Sequence, residues 1–330
     1  MKQEDIRQLR ATLGKTEYEL EETHISWVLL GPRWAYKIKK PVKYDFLDFS
    51  TLERRKHYCE RELELNSRLS EGIYRAVQPI RQSNGTFHFG QEGAVVDYAV
   101  QMKRLDSAQR MDLRLQAGNV GEREMQQLAA QLSAFHQQAE SIQQPVSTKQ
   151  QFEDFADILS ARTTLEELHG KAAGKHLEES VGRAKSFLTQ HAERMEARRA
   201  AGFVVDGHGD LHGRNIFLLD PPVIFDCIEF NDELRHIDIL DELAFLCMDL
   251  HYHQQPQLEA ALLQAYRARH EVFYTPEDWQ LFRYYKWYRA NVRLKVNLLR
   301  AEGEEPVGDE LKELVRRFWE LYECLGADLA

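Results

Sequence analysis

The chain has no run of about eighteen apolar residues, so no helix in it is expected to span a membrane. Its first residues, Met1-Lys2-Gln3-Glu4-Asp5, are charged and lack the apolar stretch of a secretion signal, so the expected location is cytoplasmic. Cysteine is scarce: Cys59, Cys227, Cys247 and Cys324 are scattered without paired spacing. That argues against a disulfide framework and a zinc cluster, and leaves four reduced, buried small hydrophobes. Basic charge is short as well, since 43 Lys and Arg against 53 Asp and Glu give a net charge of −10. Wholesale nucleic-acid binding requires a dominant basic face, so nucleic acid is not an expected partner. The chain also shows no internal repeat and no low-complexity tract.

What is present divides into two regions of different periodicity. A length of 330 residues with 43% hydrophobic residues is enough for two lobes with sizeable cores. Strand-like patterns run over Thr23–Leu30, Trp34–Lys40 and Arg75–Arg81, with Gly31-Pro32-Arg33 turning between the first two. Asn84-Gly85 is a hairpin signal leading into Phe87–Phe89, and Gly93–Lys103 supplies a fifth strand. One helix interrupts them, announced by Ser50 with Glu53 three residues on and continuing through Glu71. From Asp106 onward the pattern is helical near 122–138, 149–169, 173–200, 237–253 and 276–300. Short strands at 203–206, 216–219 and 223–225 flank one unusual segment. The expected fold is α+β and two-lobed like a protein kinase: a five-stranded antiparallel lobe with one helix over residues 1–103, then a mainly helical lobe over 104–330.

The unusual segment is His208-Gly209-Asp210-Leu211-His212-Gly213-Arg214-Asn215, followed eleven residues later by Asp226 in Ile224-Phe225-Asp226. An Asp, an Asn five residues on and a second Asp form the acid and metal set that phosphoryl transfer from a nucleotide requires. Asp210 is the candidate base, or the group that orients the acceptor hydroxyl. Asn215 and Asp226 are candidate oxygen ligands for a magnesium ion, Mg²⁺. Upstream, Lys37 ends an Ala-x-Lys on the second strand, where a kinase lysine reaches the α- and β-phosphates. Strand alternation puts Lys39 on the same face, and Lys37 is preferred over it. The plainer alternative for either lysine alone is a solvated edge residue.

These residues resemble the aminoglycoside/choline kinase group of small-molecule phosphotransferases, in which the protein-kinase His-Arg-Asp is replaced by His-Gly-Asp. The resemblance covers nearly all of the chain. Ala35-Tyr36-Lys37, Phe46-Leu47-Asp48-Phe49-Ser50, Cys59–Asn66 and Tyr288-Arg289-Ala290 look like the subgroup sometimes fused to a P-loop ATPase domain. The resemblance implies a kinase-like fold, ATP or GTP as donor with Mg²⁺, and a small-molecule acceptor. It also implies Glu62 as the carboxylate holding Lys37, which fits its place beside Cys59, Leu63 and Leu69. The base is expected against Val28, Ala35 and the Met102-Lys103-Arg104-Leu105 crossover, with Ser26 or Thr23 offering a hydroxyl to the phosphates. Glu22-Thr23-His24-Ile25-Ser26 departs from the protein-kinase pattern, since it stands where a glycine-rich flap is placed.

Other signals weigh less. Gly14-Lys15-Thr16 mimics the end of a phosphate-binding P-loop, but Leu9 stands where the first glycine is needed. His208 and His212 have metal-ligand spacing on a helix, yet Gly207, Gly209 and Gly213 make a helix improbable, and His208 is expected to hold the loop by ring hydrogen bonds. The stretch from Asp226 to Arg235 is too short for a peptide-docking activation segment, which favours a small acceptor over a protein. Between Asp278 and Glu302 lie Arg283, Lys286, Arg289, Arg293, Lys295 and Arg300 with no acid between them. This face either binds an anionic acceptor or forms a structural ion-pair network with Glu229, Asp232, Glu233, Asp238, Asp241 and Glu242, and the network is preferred. Two other functional classes stand behind the kinase: a catalytically silent kinase-like nucleotide-binding module acting through a partner, and a metal hydrolase using the histidines.

Overall fold

Alternation along Trp34–Lys39 sorts the first sheet into two faces. Tyr36 and Ile38 point into one apolar cluster with Trp27, Leu29, Ile80, Phe87 and Ala99, while Ala35 points the other way to Cys59, Tyr74, Val100 and Met102. Lys37 and Lys39 share the face of Ala35 by the same period of two. This is seen in a computed structural model describing residues 1–14, 18–44, 47–304 and 306–329. Lys15 and Thr16 of the P-loop mimic, and Phe46, lie outside the described residues.

The chain clusters into two compact units. The first comprises Met1–Val120, His208–Asp210 and Arg214–Arg235. It begins with α1 (Gln3–Thr12) and a six-stranded antiparallel sheet made of β1 (Glu19–Glu22), β2 (Ser26–Leu30), β3 (Trp34–Lys39), β6 (Tyr74–Ser83), β7 (Thr86–His88) and β8 (Ala94–Lys103), in the order β1-β2-β3-β8-β6-β7. A separate two-stranded hairpin, β4 (Lys43–Tyr44) with β5 (Leu47–Asp48), leads into α2 (Leu52–Asn66), and α3 (Met111–Gln116) follows the sheet. α1 buries Ile6 and Leu9 on the first face, and α2 covers the second through β6 and β8.

The sheet thus has one strand more than the expected five, and α1 is an added helix. β1 reads Glu-Leu-Glu-Glu, so as an edge strand with three acids it shows no apolar alternation to betray it. α2 is also shorter than expected. Its cap is Thr51, whose hydroxyl accepts from Arg54 N, and it stops at Asn66 because Ser67–Ile73 turns back through short-range hydrogen bonds.

The second unit comprises Gly121–Gly207, Leu211–Gly213 and His236–Ala330. Its helices are α4 (Glu122–Gln138), α5 (Thr148–Ala156), α6 (Arg162–His169), α7 (Lys171–Ala200), α8 (Ile239–Tyr252), α9 (Pro256–Arg267), α10 (Pro276–Glu302) and α11 (Asp309–Ala327), with one antiparallel pair, Val204–Asp206 on His236–Asp238. The helix expected over 149–169 is broken by a 3-10 turn at Asp157–Ala161, and α9 and α11 are additional. Charge is buried here: Arg198 forks onto both Asp238 oxygens at 2.7 and 2.8 Å and reaches Asp278 at 2.9 Å. No helix among the described residues is long and apolar enough to cross a membrane.

Candidate active site

The residues singled out by spacing converge in the first unit. Ile216↔Ile224 and Phe217↔Val223 form a small antiparallel hairpin, and Phe225 N donates to Asn215 O at 3.1 Å beyond it. That register brings Asn215 and Asp226 to the same end of the hairpin. Asn215 turns its amide nitrogen to Asp210, donating to Oδ2 at 2.9 Å and to the backbone oxygen at 3.0 Å, so its carbonyl oxygen points away from Asp210. Asp226 has φ of +62°, a left-handed conformation that Asp tolerates better than most side chains, and its backbone N–H donates to Tyr74 Oη at 3.3 Å.

His208 joins the two segments. Asp210 N donates to its Nδ1 at 3.2 Å, so Nε2 carries the hydrogen and donates to Phe225 O at 2.9 Å, next to Asp226. The ring is fully buried and works as a strut. Gly209 between them has φ of +85°, and a Cβ there would lie 2.6 Å from the Leu234 carbonyl oxygen. Only glycine fits both the conformation and the approach. Gly209→Ala is expected to cost about 3 kcal/mol and to lower the melting temperature while displacing Asp210. An unchanged melting curve would contradict that fit.

The lysine strand meets this loop. Lys37 Nζ lies 3.0 Å from Glu62 Oε1 and donates to Asp226 Oδ1 at 2.6 Å. Lys39 Nζ donates to the other Glu62 oxygen at 2.7 Å and to Glu229. Accessibility separates the two lysines: the side chain of Lys37 is 13% exposed and that of Lys39 only 1%. Burial opposes charge on Lys37, but Asp226, Glu62 and Glu229 outweigh it and hold its pKa well above the ordinary lysine value. Burial would likewise push the Glu62 carboxyl up, yet Lys37 and Lys39 together hold it below the usual carboxylate range. In Glu229 burial prevails and the carboxyl is pushed up despite Lys39.

Lys39, Glu229 and Asn66 are members of the site that spacing did not reveal. Asn66, at the end of α2, accepts from Cys227 N at 2.9 Å through its side-chain oxygen. The signal available for Lys39 was its alternation with Lys37. For Glu229 it was a lone acid in an apolar segment just past Asp226.

The expected base contacts lie together. Ala35 pairs in register with Met102, and both join Leu30, Leu105, Phe217, Leu219 and Phe225 in one apolar cluster. Val28 sits opposite Lys37 on the neighbouring strand. Arg104 gives its N–H to Arg33 O at 2.9 Å, so that donor extends the sheet, and its guanidinium lies 3.6 Å from Glu19. Ser26 is buried, with Oγ 2.8 Å from Thr23 Oγ1, while Thr23 accepts from Ser26 N at 2.9 Å. Both hydroxyls therefore close the turn that stands in place of a glycine-rich flap, and Lys40 braces it by donating to Glu22 at 2.6 Å.

One carboxylate and one amide oxygen at one end of a hairpin are hard oxygen ligands, and Mg²⁺ is usually bound by one or two such groups plus phosphate oxygens and water. Among the described residues no group of three or more His, Cys, Asp or Glu is arranged to hold a metal alone. The residues fit Mg²⁺ shared with a phosphate.

In the second unit three of the six basic residues of α10 pair with carboxylates. Arg289 forks onto Asp241 at 2.6 and 2.8 Å, Lys286 donates to Glu259 at 2.6 Å, and Lys295 pairs with Asp157. Of the six acids expected to form the network, Asp241 supplies a partner to α10, whereas Glu229 belongs to Lys39 and Asp238 to Arg198. Arg289→Ala would leave Asp241 uncompensated in a buried site, so a loss of about 3 kcal/mol in thermal stability is expected.

A sequence model of the phosphotransferase enzyme family matches residues 49–285. The chain belongs to that family. Uncharacterised proteins of Mycobacterium tuberculosis and Mycobacterium bovis are each 33% identical over 304 residues, covering 90% of this chain. The match covers 58% of the length of those curated relatives. Among solved structures, the GDP complex of an aminoglycoside 2'-phosphotransferase-IIIa superposes with a TM-score of 0.57 at 14% identity, covering 99% of both chains. A choline kinase from Cryptosporidium parvum gives 0.59 at 10% identity, covering 98% of this chain and 94% of that one. At these identities the likeness shows the fold, which is the α+β, protein-kinase-like fold of these phosphotransferases.

Proposed function

We propose that this member of the phosphotransferase family moves the γ-phosphate of ATP or GTP to a hydroxyl of a small molecule. The observation that carries the reading is the convergence of Lys37, Glu62, Asp210, Asn215 and Asp226 within one unit, with Lys37 in contact with both Glu62 and Asp226. Asp210 orients the acceptor hydroxyl and takes its proton as the acceptor oxygen bonds to phosphorus and the nucleoside diphosphate leaves. Lys37 binds the phosphates, held by Glu62, and Asn215 fixes the rotamer of Asp210 through its amide. Asn215 and Asp226 would hold Mg²⁺, which supplies charge neutralisation for the phosphates when bound. The purine lies against Val28, Ala35 and Met102, with the Arg104 segment at its edge, and residues 1–103 carry most nucleotide contacts while 104–330 supply the acceptor side.

The acceptor class follows from what α10 does with its charge. Arg289, Lys286 and Lys295 are engaged by carboxylates, whereas Arg293 lies over the Phe318 ring and Arg300 meets Asn297, so an anionic acceptor keeps only part of its proposed carriers. Solved structures of the same fold carry the names aminoglycoside phosphotransferase and choline kinase, which puts amino alcohols and aminoglycosides first in a trial, followed by sugars and nucleosides. The test is release of nucleoside diphosphate from ATP and GTP with Mg²⁺ across that panel. Release that depends on one acceptor class supports the reading. Tight nucleotide binding with no acceptor-dependent release would favour a silent nucleotide-binding module.

A further inference from the structure

Five charged side chains from three segments alternate in sign: Asp226, Lys37, Glu62, Lys39 and Glu229. β3 supplies both lysines, α2 supplies the central glutamate, and the loop after the hairpin supplies the two end carboxylates, three residues apart. The chain of contacts therefore starts and ends on the same loop and encloses β3 and α2. Its inner half is deeply buried, with side-chain exposures of 0% for Glu62, 1% for Lys39 and 4% for Glu229. Tyr74 and Cys59 also face it from β6 and α2, both buried.

A kinase needs one lysine and one glutamate at this place, so the second pair asks for a purpose. If Lys39 were absent, Glu62 and Glu229 would both be buried with Lys37 as their one nearby cation, and Lys37 would be drawn inward from the phosphates. If Glu229 were absent, the loop bearing Asp226 would be tied to β3 through Asp226 and Lys37 and would lose its second, buried tie. A buried ion pair is a weak source of stability, since desolvation offsets most of its attraction, but it is a strong source of specific geometry when each charge has its partner.

We propose that Lys39 and Glu229 are positioning residues for the phosphotransferase: Lys39 holds Glu62 from behind so that Lys37 can serve the nucleotide, and Glu229 latches the metal-binding loop to the same strand. This rests on the kinase reading of Lys37 and Asp226. Asp226 and Lys37 stand at the accessible end of the chain of charges, and Lys39 with Glu229 at the closed end. The loop is further fixed to the end of α2 by Asn66 on Cys227 N and to the turn after it by Arg68 on Cys227 Sγ at 3.5 Å, so the latch completes a loop already seated at its start.

The test uses the full chain and three variants, Lys39→Met, Glu229→Gln and the double variant, with Mg²⁺-ADP binding measured by calorimetry. Lys39→Met is expected to weaken Mg²⁺-ADP by about tenfold or more, and the double variant to regain at least about threefold of it, because removing Glu229 takes away the second buried carboxylate that would draw Lys37 inward. Losses that simply multiply, or a Lys39→Met protein that binds like the wild type, would overturn the proposal. Should Lys39→Met not fold, Glu229→Gln decides: ADP without Mg²⁺ should bind as before while the gain from adding Mg²⁺ shrinks about threefold or more, and an unchanged gain overturns it. Should the wild type bind no Mg²⁺-ADP, the kinase reading fails on its own, and thermal unfolding of the same set still tests the latch. A double variant melting above Lys39→Met supports it, and one melting below overturns it.

Discussion

Asp210→Asn is expected to lower acceptor-dependent turnover by about 10³-fold while leaving Mg²⁺-nucleotide affinity within about threefold. The substitution keeps the shape of the side chain and the reach of Asn215 Nδ2, which lies 2.9 Å from Asp210 Oδ2. What it removes is the basic oxygen that accepts the acceptor's proton. The strut from His208 accepts from the Asp210 backbone N–H, a donor that the substitution keeps. Diphosphate release and nucleotide calorimetry on the same preparation separate the two effects. Turnover within tenfold of the wild type would show that another group takes the proton and that the loop works only as a scaffold.

The largest stability loss is expected in the second unit, at Arg198→Met. Arg198 is fully buried, forks onto Asp238, bonds Asp278 and also donates to the Val272 carbonyl at 2.8 Å. Methionine fills much of the aliphatic volume but strands the Asp238 carboxylate, while Asp278 keeps Arg194 at 2.6 and 2.9 Å. Removing one partner of a buried pair leaves a desolvated charge and costs about 3–5 kcal/mol, corresponding to roughly 10 °C in a thermal scan of a unit this size. Arg194→Met, a quarter exposed and bound to Asp278 alone among these acids, should cost less than half as much. Equal losses for the two variants would mean that Asp278, and not Asp238, is the carboxylate that matters.

The parts of the site that could be read from the sequence are those set by local geometry. Asp210 and Asn215 are five residues apart on one loop, and Asp226 follows after two short apolar runs that pair as a hairpin. Glu62 could be placed because it lies beside the buried Cys59 on α2. Alternation put Lys39 on the face of Lys37, but its pairing with Glu229 could not be read, because it joins residues 190 positions apart. Gly209 was visible as a residue, but its reason, a carbonyl 2.6 Å from an added Cβ, exists only in three dimensions. The helices behaved similarly. α11 carries a plain amphipathic signal in Leu311, Val315, Phe318, Tyr322 and Leu325, all buried, and α9 opens on Pro256 ahead of Leu258 and Leu262. β1 had no such signal, because three of its four residues are glutamate.

That acidic strand has a bearing on self-association. An edge strand offers unpaired backbone groups to any other extended chain, and Glu19, Glu21 and Glu22 place like charges along this one, so a second copy approaching in register would meet its own repulsion. The opposite edge, β7, is only three residues long, and Thr12 of α1 donates its hydroxyl to the Phe87 carbonyl at 2.9 Å. One margin of the sheet is guarded by charge and the other by a helix, which opposes growth of the sheet by strand addition when the protein is concentrated.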